Sequence, residues 1–421
     1  MPFPVAVRSK VSLALVAIGS LAAGLPRVAS AQPPSAQHNI TIDGSFGSPQ
    51  ILTGPNYAIG ASVGQQRGSN LFHSFGLFGL ATGESATFSG PAAISNVIGR
   101  VTGGSPSSIN GKIQSTITGA NLYLINPSGI VFGPNATVNV SGSFHASTAD
   151  YLKMSDGAKF QATNPDGSTL SAAPPAAFGF LTASPAKISV NGSTLGPVPG
   201  TLGLVGGPVS IAGATLSAPA GTIHVASAAG TGEVPVDPRN TAALTVTSFG
   251  PVQITGGSTL DVSNPINLGS GGSVFIRSGA LTINASTINA DNYGTGAGGS
   301  LVLHGDSQVV LSNSTSVHAV ALGRGSGAGV AISTAPSGVI TADASTVQTG
   351  SVGSGNAGPL SVATGQLSLT NGASLTSSAH GAGSGGPIAI TADSVLLDGG
   401  APQAKQGPRE RLFVAVRVKP R

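Results

Sequence analysis

The chain has 421 residues, of which 40% are hydrophobic, 8% charged and 4% aromatic, with 63 glycines and no cysteine. Few charges with many apolar residues exclude a disordered chain, and the missing cysteines exclude disulfide staples and thiolate chemistry. The formal charge of +4 comes from the two ends: residues 32–400 hold 9 basic and 13 acidic residues, so no basic face is available for nucleic acid.

Residues 1–31 read as a signal peptide. Arg8 and Lys10 start it, Val11 to Leu25 form an apolar core, and Ala29-Ser30-Ala31 is an A-x-A cleavage site. The core is too short for a bilayer, which needs roughly 20 residues, and no later apolar run escapes interruption by Gly, Pro or polar residues. No integral membrane span is therefore expected.

From residue 32 to about 60 the text is first Pro-rich and then alternating, with Ile40 and Ile42 between polar neighbours. This pattern predicts short strands covering the open edge of a stack, where an uncovered edge would pair with other chains. Leu71, Phe72, Phe75, Leu77, Phe78 and Phe88 hold much of the aromatic content and are expected in the interior beside that cap, with His73 as a core or rim histidine.

The central stretch is NLYLINPSGIVFGPNATVNVSGSFHASTAD, from Asn121 to Asp150. Asn126-Pro127-Ser128-Gly129 is a type I turn by residue choice: Asn first, Pro second, Gly fourth. Leu122, Leu124 and Ile125 precede it; Ile130, Val131 and Phe132 follow. A second turn at Gly133-Pro134-Asn135 leads to Val138, Val140 and Phe144, so tight turns divide strands of four or five residues and leave no room for a helix.

Residues 151–185 are irregular and predict an extrahelical loop or short hairpin, after which Ala176 to Leu181 is expected to rejoin the stack. Beyond residue 240 the chain repeats. Units begin near Gly271, Gly298, Gly327, Ala357 and Gly385, at spacings of 27, 29, 30 and 28 residues. A near-constant period in this range means stacked repeats. Three alternating strands per unit describe one coil of a parallel β-helix, with Val274, Ile276, Leu281, Ile283 and Ile288 pointing inward and successive coils about 4.8 Å apart. Leucine-rich repeats lack support in the spacing, and calcium-binding nonapeptides would need an Asp that these Gly-rich segments do not have.

The last 21 residues depart from the pattern and hold six of the 18 basic residues. Leu412, Val414, Val416 and Val418 still alternate. They read either as a charged capping strand or as the end of a truncated chain.

The run around Asn126, with GSNLFHSFGLF, GESATFSGP and SNVIGRVTGGSPSSINGKI upstream, resembles the secretion domain of two-partner secretion exoproteins of the filamentous-haemagglutinin type. The resemblance covers roughly residues 38–235. In that family an N-P-N-G-I motif occupies the turn. Here Ser128 stands at the third place, where the turn survives but a contact specific to Asn would not. The family's second motif, N-P-N-L, is absent. The resemblance implies an all-β chain folded as a right-handed parallel β-helix with N-terminal capping strands. It further implies that Asn126, Pro127, Ser128, Gly129 and Ile130 are recognised by an outer-membrane β-barrel transporter. The expected order is signal peptide 1–31, secretion domain 32–235, β-helical repeats 236–400 and basic tail 401–421. Export through the Sec route and the periplasm to the medium or cell surface follows, with an adhesin-like role toward a host-cell or glycan ligand. Without cysteine, no periplasmic disulfide would block passage of an unfolded chain through a pore.

An alternative is a surface polysaccharide-binding or polysaccharide-degrading β-helix. Glycoside cleavage needs two carboxylates within roughly 5 to 10 Å. The acidic residues form no D-D or D-x-D pair, although Asp261 and Asp291 would meet if they stacked a coil apart. The seven histidines show no H-x-H or H-E-x-x-H spacing. No catalytic residue, metal or cofactor is expected.

Overall fold

The computed structural model describes residues 38–265 and 269–398 with their side chains, and the backbone of the strand Val414–Val418. The signal-peptide reading and most of the basic tail lie outside the described residues.

Short strands follow from the composition, because β-branched and aliphatic residues alternate with polar ones and glycine or asparagine breaks the run every few residues. They stack in parallel, coil upon coil, into three faces. One column on the first face shows the stacking directly. Leu71 pairs with Val97, and the register continues through Leu122, Phe144, Leu202, Ile223, Val274, Leu301, Val330, Leu360 and Ile388. The last four steps are 27, 29, 30 and 28 residues, the period read in the sequence. Every member of this column is buried in one continuous hydrophobic core, as are Ile276, Leu281, Ile283 and Ile288. The fold is a parallel β-helix, and a parallel sheet buried inside is built from such near-continuous apolar positions. Among the described residues the only helical elements are three single 3-10 turns.

The stack opens under a lid. Asn70–Phe78 would be a bare edge, but Ile40–Ile42 and Gln65–Arg67 pair with it antiparallel, with Ile40 opposite Phe78 and Gln65 opposite Phe72. Phe75, Phe78 and Phe88 pack behind this edge as an aromatic cluster, and His73 lies buried between the rings of Phe75 and Phe88. At the other end Val414–Val418 pairs parallel with Ile388–Ala392.

Two expectations fail. Of the aromatic-rich residues expected in the interior beside the cap, Phe72 points outward into a second core and Leu77 is only half-buried, because neighbours on a strand face opposite sides. Ala176 to Leu181 does not rejoin the stack. Pro175–Phe180 pairs antiparallel with Tyr151–Met154 on one side and with Gly232–Pro235 on the other, and Lys159–Gln161 completes a separate four-stranded sheet. The reason is burial on the outside of the coils. The outward column Phe72, Ile98, Tyr123, His145, Gly203, His224 carries large apolar and aromatic groups. Leu152, Met154, Phe160, Phe178, Phe180 and Val234 cover them in a second core. The two inserted segments, 151–185 and 229–249, thus build one cover over the first face.

Candidate functional site

The turn at residues 126–129 forms between the strands Asn121–Ile125 and Ile130–Phe132. Pro127 presets the backbone, and the Gly129 amide donates to the Asn126 carbonyl at 3.0 Å. Gly129 has φ of 118°, a region that side chains with a Cβ rarely enter. The Asn126 side chain is fully buried and uses both ends of its amide. Its Oδ1 accepts from the Ser128 backbone N–H at 2.9 Å, an Asx turn. Its Nδ2 donates to the Ser105 carbonyl at 2.9 Å and to Ser107 Oγ at 2.9 Å.

These bonds tie three coils together at one corner. The Ser107 amide donates to the Gly129 carbonyl, the Ile130 amide to the Lys187 carbonyl, and the Asn126 amide to the Ser147 carbonyl. The five residues singled out in the sequence are therefore adjacent, but they are not equally accessible. Asn126, Gly129 and Ile130 are buried, while Pro127 and Ser128 are half-buried. Ser128 contributes its backbone N–H to the turn, so the replacement of the family's Asn at this place leaves the turn intact.

Sequence reasoning missed the residue that joins cap, coil and cover. Arg100 lies within the GRVTGG run that carried part of the resemblance, yet its role has no local mark. It is 1% exposed. Its Nε donates to Ser74 Oγ at 2.7 Å in the first coil, Nη1 to the Gln161 carbonyl at 2.6 Å in the cover, and Nη2 to Ser45 Oγ at 3.1 Å in the cap. The guanidinium lies 4.5 Å from the centre of the Phe160 ring. Burial lowers its pKa to about 10, opposed by the charges of Asp43 and Asp166, so it stays protonated at neutral pH. Burial alone would raise Asp43, but hydrogen bonds from Ser74, Ser45 and Thr102 outweigh it and hold the carboxyl below its ordinary value.

His73, His145 and His224 are core groups. His145 stacks on Tyr123 with ring centres 4.6 Å apart and planes 5° apart, beneath Phe178. Burial pushes His73 down to about 4, and burial with the neighbouring His224 pushes His145 down to about 3. The envisaged stacking of Asp261 on Asp291 does not occur: Asp261 faces Asn289, and Asp291 bonds to His318 at 2.8 Å. Among the described residues no group of three His, Asp or Glu side chains is placed to hold a metal ion.

Comparison with known proteins places these features in context. Residues 39–283 match the family model described as the TPS secretion domain. Over 79 residues the chain is 35% identical to the heme/hemopexin-binding protein of Haemophilus influenzae, a match spanning 19% of this chain and 8% of that relative. The secretion domain of HMW1 from Haemophilus influenzae is 16% identical, with a TM-score of 0.47 over 90% of this chain and 96% of that one. The filamentous hemagglutinin secretion domain is 14% identical, with a TM-score of 0.34 over 90% of this chain and all of that one.

Proposed function

The chain belongs to the TPS secretion domain family of two-partner secretion exoproteins, and from that premise we propose that an outer-membrane β-barrel transporter recognises its N-terminal domain and delivers it to the surface or the medium. The family match over residues 39–283 is the observation that carries this reading.

Residues Asn126, Pro127, Ser128, Gly129 and Ile130 are the proposed recognition segment. Their burial argues for when they act. Three of the five are inaccessible once the corner has closed, so the transporter meets the full segment on the unfolded chain and at most Pro127 and Ser128 on the folded one. Closure of the corner then starts the stack. A solenoid grows by adding coils to a nucleus, and each coil that forms outside buries apolar surface and opposes return through the pore. Export on this scheme needs no periplasmic ATP. The surface-displayed coils would serve an adhesin-like role toward a host-cell or glycan ligand.

The test is a secretion assay in cells carrying the chain with and without its cognate barrel. The expected result is release that requires the barrel and fails in Asn126→Ala while the leader is still removed. Equal release without the barrel would overturn the proposal.

A further inference from the structure

The outward column of the first face changes its surroundings along the stack. Down to His224 it lies under the four-stranded cover. The next two rungs, Phe275 and Val302, follow in register on the same face but are only half-buried. The segment 235–244 leaves the cover's edge strand and arches beside them. Between this arch and the coils lies a cavity of about 410 Å³, within the roughly 300–1,000 Å³ of small-molecule sites.

Its floor is apolar, made by Phe275, Val302 and Ala226, and Val234 of the cover's edge strand and Leu244 of the arch close it. Its polar groups are basic or neutral. Arg239 and Arg277 line it with Ser300 and His304, and among the described residues no carboxylate lines it. The two guanidiniums are held differently. Arg277 bonds to Asp306 at 2.7 Å and lies 3.9 Å from the centre of the Phe249 ring. Arg239 sits over Phe275 at 5.2 Å, with only long contacts to Thr222 Oγ1 at 3.4 Å, Ser273 Oγ at 3.5 Å and Asp237 at 3.7 Å. Its side chain is 56% exposed. An aromatic floor with a largely exposed guanidinium held only by long contacts suits a ligand with an apolar body and one negative group.

We propose that this cavity binds a small anionic amphiphile, a planar or aliphatic body bearing a carboxylate or sulfonate, with the body on Phe275 and Val302 and the anion on Arg239. This site is separate from the turn at residues 126–129 and from export, since it lies between coils that form after that corner.

Fluorescence titration of the full chain with two probes tests it: anionic 8-anilinonaphthalene-1-sulfonate and its neutral counterpart N-phenyl-1-naphthylamine. The expected result is saturable binding of one anionic probe per chain, with the neutral probe at least tenfold weaker. Arg239→Gln should weaken the anionic probe about tenfold and leave the neutral one within about twofold. Val302→Phe, which occupies the floor, should weaken both, with an unchanged far-ultraviolet strand spectrum. Absence of saturable binding, equal affinity for the two probes, or binding indifferent to both substitutions would overturn the proposal.

Discussion

The side-chain amide of Asn126 lies 2.9 Å from the hydroxyl of Ser107, its neighbour in the preceding coil. A short turn is thereby fastened to the rest of the stack by a side chain that no solvent reaches. The amide end is committed to oxygen acceptors, Ser105 and Ser107, and the carbonyl end to the Ser128 N–H. Replacing Asn126 with Ala leaves buried groups unpaired, at about 1–3 kcal/mol each before relaxation. Asn126→Asp keeps the shape but sets a carboxylate against the Ser105 carbonyl, so it should cost at least as much as Ala. Urea unfolding of the two variants measures both, and a midpoint equal to the parent for either would contradict the account.

Position 128 should behave differently from its neighbours. Ser128→Ala and Ser128→Asn keep the backbone N–H that Asn126 uses, and each should stay within about 0.5 kcal/mol of the parent. Gly129→Ala meets no close neighbour, its nearest contact being the Lys187 carbonyl at 3.4 Å. Its cost is conformational, because φ is 118°, and should be about 1–3 kcal/mol. Secretion should follow the same order, with Ser128 variants exported and Gly129→Ala impaired. Impaired export of Ser128→Ala with unchanged stability would instead point to direct contact of that hydroxyl with the transporter.

Arg100 should be the most sensitive charged position. Arg100→Met takes the guanidinium donors from Ser45, Ser74 and the Gln161 carbonyl and the opposing charge from Asp43, and loss of one member of a buried charged network costs about 3–5 kcal/mol. Arg100→Lys should not rescue, because an ammonium cannot span three acceptors in a fixed plane while lying on Phe160. Hydrogen exchange should report the loss in both the cap strand Ile40–Ile42 and the hairpin Tyr151–Gln161. Loss of protection in only one of them would deny Arg100 its joining role.

Acid should loosen the N-terminal half. His73, His145 and His224 are pushed down to about 4, about 3 and about 4, in each case chiefly by burial. An unfolded histidine titrates near 6.5, so below that pH the unfolded chain takes up protons that the folded chain refuses. Stability is therefore complete above about pH 6.5 and falls as pH drops toward about 4. His318 runs the other way, raised by its bond to Asp291 against the effect of burial, and opposes this trend. Replacing His73 with Leu should flatten the slope of unfolding free energy between pH 6.5 and 4. An unaltered slope would show that His73 is not among the groups responsible.

Gly179 should tolerate nothing larger. A Cβ there would meet the Tyr151 ring, and Tyr151 in turn donates to Glu233 at 3.0 Å. Gly179→Ala should displace Tyr151, break this link across the cover and expose tyrosine to solvent, read as a change in near-ultraviolet dichroism with the stack's far-ultraviolet spectrum retained. An unchanged near-ultraviolet signal would refute the packing described.

The repeat was legible because stacking is local in register: glycines return each coil to the same corner, so Val274, Leu301, Val330, Leu360 and Ile388 recur at the spacing the text displays. The turn at residues 126–129 was legible because Pro127 and Gly129 each answer a backbone requirement. The cover was not. Ala176 to Phe180 alternates like any stack strand, and its partner Gly232–Pro235 lies more than fifty residues on; antiparallel pairing of distant segments leaves no periodic trace. Arg100 was equally silent, since its acceptors come from residues 45, 74 and 161 and no spacing connects them.

The cover's last strand has a consequence for timing. Gly232–Pro235 bonds along the free edge of Pro175–Phe180 and brings Val234 onto the second core. On the proposed export route, a chain emerging from its amino end would have to extrude past Pro235 before this greasy flank is sealed, although the coils beneath it are already complete by Ser227. For that interval a sticky surface would face outward next to the pore, and a neighbouring molecule at the same stage would present the same unsealed edge. Slow emergence would thus favour clumping of half-delivered chains, and fast emergence a clean release.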